Sequence, residues 1–144
     1  MRPFRDAFKS RRCLVPADGF YEWKQLDAKT KQPYRIAMVD GSLMAFAGLW
    51  EQWNDPASGE TLRTFTVITG EPNALCALIH NRMPVILDAA DHPAWLGEVP
   101  AGQDELQGLL RPFPAERMAA HTIGPDIGNV RNDNPGLIER LNSA

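Results

Sequence analysis

The amino-acid sequence predicts an α+β fold built on a mainly antiparallel β-sheet. Three observations lead to this prediction. Aromatic and β-branched stretches fill the first half of the chain, turn signals such as Asp-Gly separate them, and helix-type spacing of apolar residues dominates afterwards. Hairpins followed by helices are typical of α+β proteins rather than of a doubly wound parallel sheet. The sequence contains neither GxGxxG nor GxxxxGK[ST], so we expect no phosphate-binding loop of either kind.

The first half of the chain is predicted to hold one short helix and four strands. Phe4 and Phe8 lie four residues apart, which favours a helix over residues 4–12. Residues 13–19 end in Asp-Gly and are expected to break that helix. The four predicted strands cover residues 20–24, 34–39, 43–53 and 62–69. We expect a hairpin at Asp40-Gly41, between the second and third strands, and pairing of the fourth strand with the third.

The second half is predicted to alternate short helices with two strands. The expected helices cover residues 71–79, 88–96, 103–110 and 137–141. The expected strands cover residues 83–87 and 117–123. Asp88 is a candidate N-cap for the second of these helices, because its carboxylate can accept a hydrogen bond from the first helical turn. Residues 124–135 are rich in Gly, Asn and Asp and are predicted to form a loop.

Length and composition predict one folded domain over residues 1–144. A chain of 144 residues with 44% hydrophobic residues can bury a core and is not typical of a disordered protein. Stretches without a charged residue, such as 41–50, are too short to span a bilayer, and no secretory signal is evident. The two cysteines match neither a disulfide framework nor a zinc site. We therefore expect a cytoplasmic protein with reduced thiols, no membrane partner, no metal and no cofactor.

The charge distribution differs from the overall charge. The formal net charge of −3 argues against a nucleic-acid-binding protein. Residues 1–35, however, hold nine Lys and Arg against four Asp and Glu. Such a basic segment on an acidic body can attract phosphate locally. The alternative is a solvated basic helix and loop without a partner.

Two short segments carry candidate functional residues. In Gly-Phe-Tyr-Glu-Trp, Glu22 stands among three aromatic residues, and partial burial would disfavour its charged form and suit it to general-acid catalysis. In Ile-His-Asn-Arg-Met-Pro, His80 lies at a predicted junction between a helix and a strand, and Arg82 could bind a phosphate or a carboxylate. The alternatives are a Glu at a sheet edge paired with a neighbouring cation, a structural His and a solvated Arg.

The cysteines allow a second kind of chemistry. If residues 71–80 are helical, Cys76 and His80 lie on one face and could form the thiolate–imidazole pair of a thiol hydrolase. Cys76 is equally consistent with a small apolar core residue. Cys13 follows Arg11 and Arg12, whose charges would lower the pKa of its thiol.

Taken together, several segments resemble the SRAP family, the SOS-response-associated peptidases. The matching segments are residues 4–12, Arg12-Cys-Leu-Val-Pro-Ala-Asp-Gly-Phe-Tyr-Glu-Trp23, Phe46-Ala-Gly-Leu-Trp50, Phe65-Thr-Val-Ile-Thr69, His80-Asn-Arg-Met-Pro-Val-Ile-Leu87 and the Asn-rich run 129–135. They occur in the family's order along essentially the whole chain. The resemblance implies a barrel-like β-sheet core with short flanking helices. It also implies a protein that shields abasic sites in single-stranded DNA.

The resemblance also implies roles for individual residues. Glu22 corresponds to the family's catalytic glutamate, and His80 to its active-site histidine; both are linked to opening of the abasic sugar ring. Arg82 looks like the arginine that holds a DNA phosphate beside the lesion. Thr69 corresponds to a threonine that lines the same pocket. The first three assignments agree with the chemistry of a tuned acid, an imidazole and a phosphate-binding cation.

The sequence departs from the family pattern at its start. In the family, an N-terminal cysteine forms a thiazolidine cross-link with the opened sugar, and the protein processes its own N-terminus. Here the chain begins Met1-Arg2, so it resembles the C-terminal two-thirds of a SRAP protein, and we expect no covalent activity. One alternative is a non-catalytic remnant that binds single-stranded DNA. When bound to DNA, the cytoplasmic protein is expected to be associated with the nucleoid. A lost N-terminal segment would also leave an unpaired sheet edge, which predicts self-association or a separate partner segment.

Overall fold

A computed structural model describes residues 2–142. Met1, the first residue of the segment in which the sequence departs from the family pattern, lies outside that part. The α+β class and the antiparallel sheets are confirmed. The chain forms two compact units, each assembled from three segments. Unit 1 comprises Met1–Pro16, Ala45–Gly70 and Pro84–Phe113, and unit 2 comprises Ala17–Met44, Glu71–Met83 and Pro114–Ala144. The prediction of one domain over residues 1–144 stays a prediction.

The regular elements of residues 2–142 are short. The helices are α1 (Arg2–Ser10), α2 (His92–Leu96) and α3 (Gln103–Gly108). The strands are β1 (Arg12–Ala17), β2 (Phe20–Gln25), β3 (Lys31–Met38), β4 (Met44–Asn54), β5 (Thr61–Val67), β6 (Thr69–Gly70), β7 (Met83–Pro84) and β8 (Met118–Thr122). Short 3₁₀ turns cover Cys76–Leu78, Ala89–Asp91, Ala115–Arg117, Pro125–Gly128 and Pro135–Ile138. None of the helices in this part of the chain has the length and apolar character needed to cross a membrane.

Unit 1 is organised around a sheet with the strand order β1–β4–β5. β4 and β5 pair in antiparallel register from Gly48 opposite Val67 to Asn54 opposite Thr61, which confirms the predicted pairing of these two strands. The intervening turn is closed by Asp55, whose carboxylate accepts hydrogen bonds from the turn, and by Gly59 with a φ of 74°.

Trp95 is the centre of the unit 1 core. Its side chain is fully buried and packs edge to face against Phe8, with the ring centroids 5.8 Å apart. The indole N–H donates a hydrogen bond of 2.8 Å to the Cys13 carbonyl oxygen. Leu49, Leu87 and other apolar residues complete the cluster. Burial of this ring therefore holds α1, β1 and α2 together.

Unit 2 is organised around a second sheet with the strand order β2–β3–β8. β3 is central and antiparallel to both neighbours. Its Ile36 and Met38 are buried, as are Met118 at the start of β8 and Ile123 just after it. The β1–β4–β5 and β2–β3–β8 sheets are both open, and no closed barrel is formed by residues 2–142.

Two predictions about the first half of the chain were wrong. Residues 13–19 do not simply break the first helix, because β1 begins at Arg12 and continues to Ala17. Asp40-Gly41 does form a turn, with Gly41 at a φ of 74°, but not a hairpin between its flanking strands. β3 pairs with β2 and β8, while β4 pairs with β5. A local turn signal does not determine which strands pair across it.

The predicted helix over residues 71–79 is also not formed. The structure contains only the 3₁₀ turn Cys76–Leu78 in this segment. The Asn73 side chain accepts the Cys76 N–H at 2.9 Å, and such side-chain bonds to the backbone compete with regular helix. Cys76 and His80 remain close, because the His80 N–H donates to the Cys76 carbonyl oxygen at 2.9 Å.

Candidate active site

The structure brings Glu22 and His80 together at a cavity of about 440 Å³ in unit 2. Its walls come from β2, from the start of β3 and from the segment after the 3₁₀ turn. The lining residues are Glu22, Trp23, Gln25, Lys31, Ile79, His80 and Asn81. A carboxylate, an imidazole and an ammonium group therefore share one opening.

Glu22 reaches this cavity because it stands on β2, an outer strand of its sheet. Pro33 lies opposite Trp23, has no N–H, and turns its carbonyl oxygen to the Ile123 N–H at 3.1 Å. The ladder between β2 and β3 therefore leaves the Trp23 N–H pointing outward. Glu22 Oε1 accepts that N–H at 3.3 Å, so the carboxylate lies at the outer edge of the sheet.

Gly19 allows β2 to approach β3 closely just before Glu22. A Cβ at this position would lie 2.8 Å from the Ile36 carbonyl oxygen and 3.2 Å from the Arg35 guanidinium. Only glycine fits such a close approach of backbone to backbone. The glycine of the Gly-Phe-Tyr-Glu-Trp segment therefore helps to set the position of the carboxylate three residues later.

His80 is oriented by the backbone of Arg82. Its Nδ1 lies 3.2 Å from the Arg82 N–H and 3.4 Å from the Arg82 carbonyl oxygen. An unprotonated Nδ1 can accept from the first, and a protonated Nδ1 can donate to the second. Both tautomers and the imidazolium thus have a partner on this side of the ring, which leaves Nε2 able to gain or lose a proton.

The other ring nitrogen faces the carboxylate. His80 Nε2 lies 3.9 Å from Glu22 Oε1, and the two side chains are 42% and 26% exposed. This distance is longer than a direct hydrogen bond but allows both groups to contact one small substrate. The geometry is that of an acid–base pair that is open to solvent.

Asn73 supports the segment that carries His80, and it was not among the residues predicted from the sequence. The residue is 9% exposed. Its Oδ1 accepts the Cys76 N–H, and its Nδ2 and backbone N–H lie 3.3 Å and 3.1 Å from the sulfur atoms of Met118 and Met83. Asparagine at the start of an expected helix is the only signal that could have indicated it.

Lys31 is a second residue that sequence reasoning missed. It lies between the predicted strands 20–24 and 34–39, but it is the first residue of β3 and lines the cavity. It pairs with Gln25 of β2, so the two side chains lie on the same face of the hairpin. The signal for this position was the matched pair of polar residues at equal distances from the turn.

Arg82 and Thr69 lie differently from Glu22 and His80. The Arg82 side chain is exposed, and it is not among the described residues that line the 440 Å³ cavity. Thr69 belongs to unit 1, where it lines a different cavity of about 990 Å³ together with residues of α1 and α3. The roles in DNA binding expected for both residues stay predictions.

Cys76 does not have the properties of a catalytic thiol. The residue is 2% exposed, and burial, with a smaller contribution from the charge of Glu22, raises the pKa of its thiol to about 11. At neutral pH the thiol is therefore protonated and a poor nucleophile. This environment fits a core residue and argues against the thiol hydrolase.

Cys13 also differs from the expectation. Burial raises the pKa of its thiol, whereas the neighbouring arginines were expected to lower it. Arg11 and Arg12 interact with other groups instead. Arg11 pairs with Glu51 at 2.6 Å. The Arg12 guanidinium donates hydrogen bonds to the carbonyl oxygens of Phe8, Lys9 and Trp95.

Comparison with protein families decides the relationship of the chain to known proteins. The family of SOS response associated peptidases (SRAP) matches residues 1–130. The chain belongs to the SRAP family. The resemblance carried by the Gly-Phe-Tyr-Glu-Trp and His-Asn-Arg-Met-Pro segments is thus confirmed at the level of the family.

Curated SRAP relatives are named for abasic sites. The abasic site processing protein YoqW of Bacillus subtilis is 47% identical over 136 residues, which cover 94% of this chain and 60% of YoqW. The abasic site processing protein HMCES of Gallus gallus is 36% identical, over 88% of this chain and 43% of its own length. The chain therefore spans about 60% or less of the length of these two relatives.

Solved structures agree with the SRAP assignment. A crystal structure of a protein from Bacteroides thetaiotaomicron is 34% identical with a TM-score of 0.87, covering 96% of this chain and 60% of that one. Another, from Bordetella bronchiseptica, is 29% identical with a TM-score of 0.72.

Within residues 2–142, no group of three or more His, Cys, Asp or Glu side chains is arranged to hold a metal ion.

Proposed function

We propose that this chain processes abasic sites in single-stranded DNA, with Glu22 and His80 moving protons as the abasic sugar opens. The observation that carries the proposal is the 3.9 Å separation of Glu22 Oε1 and His80 Nε2 at one cavity. The names of the SRAP relatives support the choice of substrate, since both YoqW and HMCES are called abasic site processing proteins.

The proposed chemistry is the opening of a cyclic hemiacetal. The Glu22 carboxylate accepts the proton of the hydroxyl group on C1′, and the protonated His80 donates its Nε2 proton to the ring oxygen O4′. The C1′–O4′ bond breaks, which leaves an aldehyde at C1′ and a hydroxyl group at C4′. A proton then returns from Glu22 to His80. The Arg82 backbone offers a hydrogen-bond partner to Nδ1 of the imidazole in both of its protonation states.

The covalent step implied by the family resemblance is not assigned to a residue of this chain. A thiazolidine needs the α-amine and the thiol of one N-terminal cysteine, and the nitrogen atoms of Cys13 and Cys76 are both in peptide bonds. We expect these 144 residues to give no heat-stable cross-link with abasic single-stranded DNA on a denaturing gel. A slowly migrating band that survives heating would contradict this expectation.

Proton transfer can be tested by trapping the aldehyde. An alkoxyamine reacts only with the opened sugar, so its rate of reaction with an abasic oligonucleotide reports ring opening. We expect the wild-type chain to accelerate trapping, and Glu22→Gln or His80→Gln to reduce the acceleration about 10²-fold, a typical contribution of general acid–base catalysis. Glu60→Gln, on an exposed turn, is the matched control. Equal rates for Glu22→Gln and Glu60→Gln, or no acceleration by the wild type, would overturn the proposal.

Non-catalytic binding of single-stranded DNA is the second candidate function. The nine basic residues among residues 1–35 favour it. This candidate predicts salt-sensitive binding of single strands together with an unchanged trapping rate. The same trapping experiment therefore separates the two functions.

We also propose that the chain associates with itself through β5. β5 is an outer strand of its sheet, and the exposed Leu62 and Phe65 lie along it beside the exposed Trp53. An exposed apolar sheet edge is a template for pairing with another strand. Sedimentation should show a mass that rises with concentration, and Phe65→Lys should lower it. A monomer at all concentrations would rule this out.

A further inference from the structure

Lys31 stands on the wall of the Glu22–His80 cavity, and the proton transfers proposed above do not use it. It opens β3 and lies opposite Gln25, the last residue of β2. Both residues line the cavity. A compact cation and a neutral amide thus sit side by side, next to the acid–base pair.

The turn between Gln25 and Lys31 is held by its own hydrogen bonds. The Asp27 carboxylate accepts the N–H groups of Lys29 and Thr30, each at 2.8 Å, and the Thr30 hydroxyl at 2.6 Å. The Leu26 N–H donates to the Thr30 carbonyl oxygen at 2.9 Å. Asp27 is therefore occupied within the turn, and the position of the strand ends that bear Gln25 and Lys31 is fixed.

The charge of Lys31 is not neutralised by a neighbouring acid. Among residues 2–142, no Asp or Glu side chain forms an ion pair with it. Lys24 lies on the same face of β2 as Glu22, but it is not among the residues that line the cavity. Lys29 lies in the turn and does not line the cavity. Of these three lysines, only Lys31 presents its charge to the site.

We propose that Lys31 and Gln25 bind a phosphate group of single-stranded DNA adjacent to the sugar held by Glu22 and His80. The inference rests on the proposed function, since a strand with its sugar in this cavity carries a phosphate on each side of that sugar. The Lys31 ammonium supplies the charge. One N–H of the Gln25 amide donates to the Asp27 carbonyl oxygen, and the second N–H supplies a neutral donor to the phosphate oxygens. Contacts of this kind fix the register of a strand without reading its sequence.

Salt-dependent binding tests the inference with two matched lysines. Fluorescence anisotropy with a labelled single strand is measured over a range of salt concentrations for the wild type, Lys31→Met, Lys29→Met and Lys31→Arg. Loss of one phosphate contact should reduce the slope of log K against log salt by about 0.7 for a single strand. We expect this reduction for Lys31→Met alone, with the wild-type slope retained by Lys29→Met and Lys31→Arg. Equal slopes for Lys31→Met and Lys29→Met would overturn the inference.

A second strand separates this inference from the proposed function. The same titrations are made with an undamaged strand and with one that contains an abasic site. A Lys31-specific slope on both strands without a preference for the abasic one supports the phosphate contact and contradicts abasic-site recognition. A preference for the abasic strand with equal slopes for both lysine variants supports abasic-site recognition and contradicts the phosphate contact. If the wild type binds neither strand at low salt, both are overturned.

Discussion

The cavity of unit 1 measures about 990 Å³, more than twice the 440 Å³ of the cavity in unit 2. The walls of the larger cavity come from α1, β5 and α3, and its only charged lining residues in the described chain are Arg5 and Lys9. No His, Asp, Glu or Cys among residues 2–142 lines it. The smaller cavity holds a carboxylate 3.9 Å from an imidazole, with an ammonium on the same wall.

The volume of a cavity and its chemistry are therefore separate properties. Proton transfer needs two titratable groups in reach of one substrate, and only the smaller cavity provides them. The larger cavity can offer apolar surface and positive charge but no acid–base pair. We therefore expect unit 1 mainly to supply stability and unit 2 mainly to supply chemistry.

The largest effect is expected in the core of unit 1. Trp95→Ala removes a fully buried ring and its hydrogen bond to the Cys13 carbonyl oxygen. We expect the free energy of unfolding, measured by chemical denaturation, to fall by about 3–5 kcal/mol. The neighbouring Leu96→Ala, at an exposed position, should cost about 1 kcal/mol or less. A similar loss for both variants would show that the unit 1 core is not centred on Trp95.

The next effect concerns the thiol in unit 2. Because burial raises the pKa of Cys76 from 9.0 to about 11, its thiolate fraction at neutral pH should be about 10²-fold below that of an ordinary thiol. Alkylation by iodoacetamide, followed by peptide mass mapping, should be at least about 10²-fold slower for Cys76 than for an ordinary thiol. The rate should increase as the pH rises towards 11. Rapid labelling at neutral pH would restore the thiol hydrolase as a candidate function.

A smaller effect is expected at Asn73. Asn73→Ala leaves the Cys76 N–H without its acceptor in a buried position. An unsatisfied buried donor costs about 1–3 kcal/mol of unfolding free energy. The aldehyde-trapping rate should fall as well, because the turn that precedes His80 loses its anchor. Asn134→Ala, at an exposed position, should change neither quantity. A destabilised variant with full trapping activity would show that Asn73 does not position His80.

The smallest effect is expected at Asp27 and depends on pH. Hydrogen bonds from the Thr30 hydroxyl and from the N–H groups of Lys29 and Thr30 hold the pKa of Asp27 below 3.8 in the folded chain. The carboxylate therefore stabilises the fold at pH values above 3.8, and this contribution is lost as the pH falls through the lowered pKa. At neutral pH the wild type should have a higher Tm than Asp27→Asn, and the two Tm values should converge in acid. Asp133→Asn serves as the exposed control, and a constant difference in Tm across the pH range would contradict the assignment.

Much of the fold could be predicted from local patterns. Alternation and turn chemistry gave β2, β4 and β5 nearly to the residue, and the Asp88 carboxylate does accept a hydrogen bond from the Ala89 N–H. Strand partners could not be predicted in the same way. The turn at Gly41 looks the same in the sequence whether or not its flanking strands pair, because pairing is decided by burial in the whole unit.

The candidate site was predictable where a side chain stands out from its neighbours. Glu22 among aromatic residues and His80 beside Met-Pro both do so. Lys31 and Asn73 do not, because lysine and asparagine next to turns are common and their importance depends on register and burial. Lys31 is notable only as the partner of Gln25 at the cavity, and Asn73 only through its hydrogen bonds to a buried turn.

The position of Arg82 separates two tasks between the atoms of one residue. Its backbone N–H and carbonyl oxygen hold the ring of His80, whereas its exposed side chain is the group expected to meet DNA. Selection can therefore change the side chain at this position without disturbing the orientation of the imidazole. Only proline, which lacks the N–H, would remove the arginine side chain and the hydrogen bond to His80 at once. The expected contact with DNA and the orientation of the imidazole thus depend on different atoms of one residue.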